Sequence, residues 1–513
     1  MVSRSINTIT PLLTIALGAA LLAPLTGCRP PALPDDYQRL ESAPAIFPDF
    51  TSLTIPANIA PMNFEINAEG ERFLTEISGE NGEKAVLEGK TVIFNAKFWR
   101  RLLEENVGKK IFFTIYVYHD GTWRRYAPIE NSVSPDRIDP YLSYRAIEQG
   151  YIFSDRLRLV ERSMESFQTR TFFDNAAVPG GCANCHACQR NNPNRSLFQY
   201  RHKKNGGTII VWDNQVKKVT NTARSGFSLS FSSWHPTLPL VISSTNSFQQ
   251  IFHSRETKRI EIFDSFADLV LYDVENLTLK PVLETDGLFE TFPAWRGDGS
   301  EVYFCRARLK TSEDPTLSRK EARDARLDEM AARYREIHFS LMKMSFDQEK
   351  YQFGPPQTVF DAGDRYSYLF PSSSPDGRFL VYVRQDYGTM PIYHKESDLW
   401  LLDLETGNNR PMSEINSDDL DGFHGWDSSG RWMLFGTRRE DGVFTRTYFT
   451  HFNPDGTCTK PFPLPTATPD DARQDRFAQS LPTLLTGPFP TVGGKMNRIV
   501  RHARPIKSKW LDP

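Results

Sequence analysis

Apolar and polar positions follow their most regular pattern in the second half of the chain. In four segments an aromatic residue stands three positions before a tryptophan or serine, and a polar turn, an apolar strand and a second strand follow. These pairs are Phe231 and Trp234, Phe292 and Trp295, Phe370 and Ser373, and Phe423 and Trp426. One such unit cannot bury both of its faces, so repeated units of this kind predict the stacked blades of a β-propeller.

A fifth, partial copy lies upstream of these four segments. Residues 195–201 and 207–212 match the two strands that follow the turn. Residues 182–194 therefore lie where the other copies carry the aromatic and tryptophan positions. We expect the chain after residue 470 to complete the ring, which gives a propeller of about six blades.

The remaining segments predict shorter units around the propeller. Residues 50–129 read as strands with one short helix and predict a small β-sandwich-like domain. Residues 130–180 mix aromatic and charged residues at nearly helical spacing and predict a short helical connector. The propeller is expected over 181–513, with a charged helical insertion at about 312–337 that we expect to be solvated. The predicted fold class is therefore all-β dominated.

The first residues are typical of an export signal. Residues 1–27 combine the positive charge of Arg4 with an apolar run that is too short to span a membrane. Small residues precede Cys28, as in a bacterial lipoprotein signal, and predict lipidation of Cys28 and a tether over 28–49. The alternative is an ordinary signal peptide with an incidental cysteine. Arg29 favours the outer membrane of a Gram-negative cell envelope, with the protein facing the periplasm and held to the membrane by its lipid anchor.

The composition indicates a soluble globular protein and argues against one class of partner. The chain has 513 residues, of which 39% are hydrophobic and 24% charged, as in soluble globular proteins. Lys and Arg total 61 against 63 for Asp and Glu, a net charge of −2. Without a basic excess to neutralise phosphates, nucleic acid is not an expected partner.

Three of the six cysteines cluster within seven residues. Cys182 and Cys185 are followed directly by His186, which is the C-x-x-C-H spacing of covalent haem c attachment. Two thiols at this spacing add to the porphyrin vinyl groups, and the adjacent histidine becomes the proximal iron ligand. Because haem c is attached outside the cytoplasm, the export signal supports the same prediction.

Other interpretations of the cluster stay open. Cys182, Cys185, His186 and Cys188 have the residue types of a structural zinc site, although adjacent ligands are awkward and no second, separate C-x-x-C pair exists elsewhere in the chain. A thioredoxin-like redox pair or a local disulfide are further alternatives. The sixth iron ligand is not fixed by the motif. The repeat alignment favours His235 as the candidate, ahead of His253 and Met164.

The chain resembles a known group of proteins at these residues. The Gly-Asp-Gly turn ending at Gly299 and the Ser-Pro-Asp-Gly turn ending at Gly377 resemble the WD40-like (PD40) repeats of TolB-like β-propellers. A narrower resemblance is to propeller lipoproteins of Bacteroidetes-type bacteria that are often labelled cytochrome c biosynthesis proteins. It is carried by residues 55–64, 138–145, 182–186, 206–209 and 268–273. The resemblance implies an exported propeller with one haem on Cys182, Cys185 and His186, and Cys188 departs from the pattern.

Two functions from different classes are compatible with these features. The first is electron transfer, or redox-linked binding, by an envelope-anchored monohaem propeller with a redox partner or another envelope protein. The alternative is a non-redox scaffold that binds proteins or glycans, in which zinc or a disulfide makes the Cys/His cluster structural. We find no Ser/His/Asp arrangement and no carboxylate pair, so the sequence predicts no enzyme class.

Overall fold

The computed structural model describes residues 31–82, 84–148, 156–202, 206–220, 228–252, 260–285, 287–309, 316 and 319–511. Strands dominate this part of the chain, which confirms the all-β class. The signal at 1–27, the lipidation site Cys28 and the candidate ligand His253 lie outside the described residues.

An N-terminal domain of two sheets and one helix precedes the propeller. Its elements are β1 (Gln38–Arg39), β2 (Ile46–Phe47), β3 (Thr54–Pro56), β4 (Phe64–Ile66), β5 (Arg72–Gly79), β6 (Ala85–Glu88), β7 (Thr91–Val92), α1 (Ala96–Glu105), β8 (Lys110–His119), β9 (Thr122–Arg125) and β10 (Ile129–Ser134). One sheet has the order β1-β9-β8-β10-β3, with β5 and β6 joined at β8, and the other has the order β2-β4-β7. Both sheets and α1 share one apolar core.

The N-terminal domain begins earlier than the sequence indicates. Strands β1 and β2 lie inside the segment 28–49 that was expected to be a tether. The ring of Tyr37 packs edge-on against Tyr116 at 5.6 Å, and β1 pairs with β9. This part of the expected tether is therefore folded, because its apolar residues complete the domain core.

The expected helical connector at 130–180 is wrong. The described residues there form the strands β10, β11 (Tyr141–Glu148), β12 (Arg158–Ser163) and β13 (Thr169–Asp174), with a short 3-10 turn after β13. The last three are consecutive antiparallel strands of one sheet. Three of their charged residues, Arg145, Glu161 and Arg162, are buried, which hides the alternation of a strand and imitates a helical face.

Five further sheets follow along the chain. Their strands are β14 (Gly181–Gln189), β15 (Asn192–His202), β16 (Gly207–Trp212), β17 (Gln215–Thr220), β18 (Ser228–Trp234), β19 (Leu240–Phe252), β20 (Ile260–Asp273), β21 (Thr278–Leu283), β22 (Leu288–Trp295), β23 (Glu301–Arg308), β24 (Ser340–Asp347), β25 (Gln352–Phe353), β26 (Gln357–Phe360), β27 (Ser367–Ser373), β28 (Phe379–Gln385), β29 (Asp398–Asp403), β30 (Asn409–Pro411), β31 (Asp421–Trp426), β32 (Trp432–Thr437), β33 (Arg446–His451) and β34 (Phe462–Pro463). Within each sheet, consecutive strands pair antiparallel, except that β26 pairs with β24 and not with β25.

The C-terminal segment closes the propeller, as the sequence predicts. After α3 (Pro469–Gln474), β35 (Phe477–Leu485) pairs antiparallel with β11 and becomes the first strand of the sheet that β11–β13 begin. After α4 (Gly493–His502), β36 (Ile506–Lys507) and β37 (Lys509–Trp510) pair with the outer strands β17 and β21. The first strands of the six sheets, β14, β18, β22, β27, β31 and β35, contact one another in a closed cycle around the axis.

The charged insertion forms a helix, as predicted, but it is not merely solvated. Helix α2 (Arg319–Arg333) buries Met330, and Tyr334 directly after it is also buried. The ring of Tyr334 packs against Phe263 of β20 at 6.1 Å. The insertion therefore supports the long hairpin β19–β20, which extends well beyond the other strands of its sheet.

Candidate functional site

Each of the six inner strands carries a β-bulge at the same position. The strand register skips two residues there, and the first skipped residue has a positive φ although it is not glycine. These residues are Cys185 (φ 52°), Phe231 (41°), Phe292 (52°), Phe370 (50°), Phe423 (48°) and Leu481 (51°). Such a conformation is strained for bulky residues, so its sixfold recurrence marks a feature that the surrounding fold imposes.

The six bulges line the propeller axis, and the bulge of β14 differs from the other five in its first residue. Five of the six first bulge residues are Phe or Leu, and Cys185 takes the sixth place. The second bulge residues are His186, Ser232, Pro293, Pro371, His424 and Pro482. The repeat alignment correctly matched residues 182–194 to the aromatic repeats. It predicted, however, that the C-x-x-C-H motif lies between the first two strands of the blade, whereas the motif lies within the innermost strand β14.

Two cavities adjoin along the axis. The first, which we call the histidine end, has a volume of about 320 Å³ and is lined by His186, His424 and the other second bulge residues. The second, which we call the arginine end, has a volume of about 340 Å³ and is lined by Cys182, Arg145, Arg201 and apolar side chains. Cys185 lines both cavities, as do Phe231, Phe423 and Leu481.

His186 presents a buried imidazole without a well-formed hydrogen bond. Its side chain is 8% exposed, and neither ring nitrogen has a well-formed hydrogen-bond partner in the described residues. Burial, with a smaller effect from the Arg145 charge, lowers the pKa of His186 to about 4, although a polar contact with the Ser143 backbone opposes the shift. The ring is therefore neutral at physiological pH, which is the form that binds a metal ion.

The three clustered cysteines are free thiols that point to different surroundings. Cys182 lies at the arginine end, Cys185 lies on the axis, and Cys188 packs into the apolar core between sheets. Burial raises the pKa of the Cys182 thiol, although Arg145 and Arg201 oppose the shift. Burial also raises the pKa of Cys188 strongly. Thiols of this kind are unreactive unless a partner group reaches them.

The zinc alternative finds no support in this geometry. Across the described residues, no three donor atoms of the cluster Cys182, Cys185, His186 and Cys188 lie within 4.8 Å of one another. The strand and its bulge direct these side chains apart, whereas zinc needs a tetrahedral set. The donor group that does meet this distance there, Glu71 with His119 and Asp120, lies in the N-terminal domain, with both carboxylates exposed.

His235 is not brought to the axis, which corrects the expected sixth ligand. It lines neither cavity. Its Nδ1 accepts backbone N–H bonds from Thr237 at 3.2 Å and Leu238 at 3.0 Å, and its ring packs against Trp295 at 4.7 Å. The lone pair of Nδ1 is thus used to hold the turn that follows β18. The third candidate, Met164, is buried in the core of the N-terminal domain.

His424 is the histidine that the sequence analysis missed. It occupies the second bulge position of β31, as His186 does in β14, and lines the same cavity. Its Nε2 donates to the Val381 carbonyl at 3.0 Å, because a carbonyl can only accept. The proton is therefore on Nε2, and the buried Nδ1 keeps a free lone pair in the described structure. Burial lowers the pKa of His424 to about 4.

Comparisons with known proteins identify neither a family nor an activity for the chain. No family model and no curated protein match the chain. Solved structures with propeller-like folds are similar to it. An oligogalacturonate lyase in complex with manganese covers 61% of this chain and 70% of its own, at 11% identity and a TM-score of 0.36. A hypothetical selenium-binding protein from Sulfolobus tokodaii covers 82% and 95%, at 8% identity and 0.41.

A third similar structure is an auxiliary nutrient binding protein from Bacteroides thetaiotaomicron. It covers 81% of this chain and 98% of its own, at 8% identity and a TM-score of 0.35. Likenesses this remote say nothing about what the present chain binds. The class defined by the described sheets is an all-β protein with a β-propeller.

The side chains at the axis fit a haem c in their donor chemistry. Two free thiols at C-x-x-C spacing, Cys182 and Cys185, line one cavity, and the neutral His186 with its unsatisfied nitrogens lines the adjoining one. Burying an imidazole without a well-formed hydrogen bond is unfavourable, so a group that binds the ring would reduce that cost.

Proposed function

We propose that the protein is an envelope-anchored c-type cytochrome in which the haem is held at the axis of a six-bladed propeller. Cys182 and Cys185 would form the two thioethers, and His186 would be the proximal iron ligand. The observation that carries this proposal is that one axial bulge holds Cys185 and His186, a thiol next to a buried, neutral imidazole that makes no well-formed hydrogen bond among the described residues. We infer one blade for each of the six sheets whose first strands form the axial cycle.

Electron transfer, or redox-linked binding of a partner, is the activity that follows from such a group. A haem c supplies one-electron oxidation and reduction when bound. The chain's own contribution is to keep His186 neutral, exclude water with the apolar bulge residues and place Arg145 and Arg201 near the group. Positive charge of this kind favours the more negative, reduced state and raises the reduction potential.

We propose His424 as the second iron ligand in place of His235. It reaches the same cavity as His186 from an equivalent bulge, and the bond from its Nε2 to the Val381 carbonyl leaves Nδ1 as the donor atom. Hydrogen bonding of the other ring nitrogen is how proteins commonly orient a ligating histidine.

Location in the cell envelope is part of the same proposal. It depends on the signal at 1–27 and on lipidation of Cys28, since a haem c is attached to exported chains. In the described part of the chain, no helix combines the length and the apolar character that a membrane crossing needs. We propose attachment by acyl chains on Cys28, with an outer-membrane lipoprotein facing the periplasm as the expected arrangement.

The pyridine haemochrome spectrum tests the proposal. The protein is expressed with the c-type haem attachment machinery, and acid acetone is used to extract any haem that is not covalently bound. We expect a haem c spectrum that stays with the protein, and its loss in the Cys182→Ser, Cys185→Ser double variant. Cys188→Ser is the matched control and should keep its haem. A purified wild-type protein without haem would contradict the proposal.

A further inference from the structure

Arg145 is a buried arginine whose partners are all neutral. It is 9% exposed and lines the arginine end of the axis. One of its terminal nitrogens donates to the Asn184 side chain and the other to the Ser480 hydroxyl at 3.0 Å, whereas its Nε has no partner in the described structure. A buried cation without an opposite charge is costly, which indicates that a counter-charge belongs here.

Arg201 adds a second positive charge to the lining of the same cavity. It donates to the Ser230 hydroxyl, and its guanidinium nitrogen lies 4.0 Å from the Cys185 sulfur. Its guanidinium carbon lies 4.8 Å from the ring centroid of Phe248. Within the described residues no ion pair is formed by Arg145 or Arg201. Two other partly buried arginines do pair, Arg306 with Glu290 at 3.1 Å and Arg439 with Asp421 at 2.8 Å.

Asp264, the acidic residue whose charge interacts with Arg201, does not neutralise the two arginines. Asp264 is 3% exposed and feels the Arg201 charge, but the two form no ion pair. Burial raises the pKa of Asp264 to about 7, so this carboxyl is only partly ionised at neutral pH. The Asn246 side chain partly opposes this shift, but neither oxygen of Asp264 has a well-formed hydrogen bond among the described residues.

The cavity beside the arginines is roofed by apolar side chains. Phe248 and Ile262 come from the hairpin β19–β20, and Met390 and Ile392 come from the segment between β28 and β29. The two roof segments are joined by a bond from the Thr389 hydroxyl to the Ile262 carbonyl at 2.7 Å. The volume of about 340 Å³ is that of a small ligand site. A ligand with one anionic group and an apolar body would match both the two arginines and the apolar roof.

We propose that the arginine end of the axis is a carboxylate-binding site, with Arg145 and Arg201 holding the anionic group and the hairpin roof covering its apolar part. A guanidinium is suited to this because its fork of N–H donors matches the two oxygens of a carboxylate. The carboxylate comes either from a propionate of the proposed haem or from a free organic anion. The site does not depend on the proposed function, because its charges and cavity exist in the protein chain alone.

The experiment is a calorimetric titration of the full chain made without the haem attachment machinery, with hexanoate as the probe. Hexanamide is the neutral probe of the same shape, and it should bind at least tenfold more weakly. Arg201→Gln should weaken hexanoate binding at least tenfold, whereas Arg201→Lys should retain part of it. Arg195→Gln is the matched control on the same strand, because Arg195 pairs with Asp213 at 3.3 Å away from the cavity.

The haem-loaded protein separates the two sources of carboxylate. Loss of hexanoate binding on loading assigns the site to a propionate, and unchanged binding assigns it to a free anion. The proposal is overturned if hexanoate does not bind the haem-free chain, if hexanamide binds equally well, or if Arg195→Gln weakens binding as much as Arg201→Gln. If the chain never acquires haem, the proposed function fails while the titration of the haem-free chain still decides this inference.

Discussion

At the scale of single residues, two positions of one bulge distinguish sheet β14–β17 from the others. The equivalent strands carry Phe or Leu at the first position, where β14 alone carries Cys185, and only β31 shares a histidine, His424, at the second position. An aromatic residue at the axis contributes apolar packing, whereas a thiol and an imidazole there contribute donors. The strained backbone is common to all six bulges, so only the side chains make this one a candidate site.

The sequence revealed the donors of this site but not all of its geometry. The spacing of Cys182, Cys185 and His186 can be seen in the chain, and aligning Phe423 with Cys185 would also have singled out His424. His235 was chosen because it follows Trp234, but its distance from the axis depends on the turn after β18, which local patterning does not reveal. The charges of Arg145 and Arg201 at the axis likewise result from pairings between distant segments.

Replacing His424 tests the second iron ligand. In the haem-loaded protein, His424→Ala should convert a low-spin absorption spectrum to a high-spin one and raise the affinity for cyanide at least tenfold, because one axial position opens. His235→Ala should leave the spectrum unchanged and lower the free energy of unfolding by about 2–4 kcal/mol, since it removes buried packing and two accepted hydrogen bonds. Identical spectra for wild type and His424→Ala would exclude His424 as the ligand.

Acidification tests whether His186 is buried and neutral. Its pKa is about 4 in the folded haem-free chain against an ordinary value of 6.5, so the unfolded chain binds the proton first as pH falls. Stability from this group is complete above pH 6.5 and is lost as pH falls toward 4. Between pH 7 and 4.5, wild type should lose about 2 kcal/mol more of its free energy of unfolding than His186→Gln in urea titrations. Equal losses would show that His186 is not shielded from water.

At the scale of elements, the strands that contain the aromatic repeats match the sequence pattern closely, whereas strands β11–β13 do not. Each aromatic repeat falls in an inner strand, because an apolar repeat at fixed spacing has few structural solutions. Strands β11–β13 were mistaken for helices because buried charges such as Arg145 and Glu161 obscure their alternation. Such charges are recognisable as buried only when their partners from other segments are known.

The packing of α2 gives a prediction at this scale. Met330 is 2% exposed and belongs to the core that includes Phe263 of the hairpin β19–β20. Met330→Ala should therefore lower the free energy of unfolding by about 2–4 kcal/mol. Asp328→Ala on the exposed side of the same helix should change it by less than about 0.5 kcal/mol. Thermal unfolding of the two variants measures the difference, and equal melting temperatures would mean that α2 is only a solvated decoration.

At the scale of the whole molecule, strand β35 joins the two ends of the propeller. It supplies the first strand of the sheet formed by β11, β12 and β13, so the earliest and latest propeller segments pair directly. It also carries Leu481 and Pro482, which line the same axial cavities as Cys185 and His186. The closed cycle of inner strands thus gives one axis at which residues from all six sheets meet, and this is where the proposed haem and carboxylate sites adjoin.

The central claim is that a haem is bonded to Cys182 and Cys185 at this axis. Mass spectrometry of the exported chain, purified from cells that carry the haem attachment machinery and then digested, tests it most directly. We predict one haem added to the intact protein and found on the peptide that contains both cysteines. An intact mass without that addition, together with unmodified Cys182 and Cys185, would contradict the account.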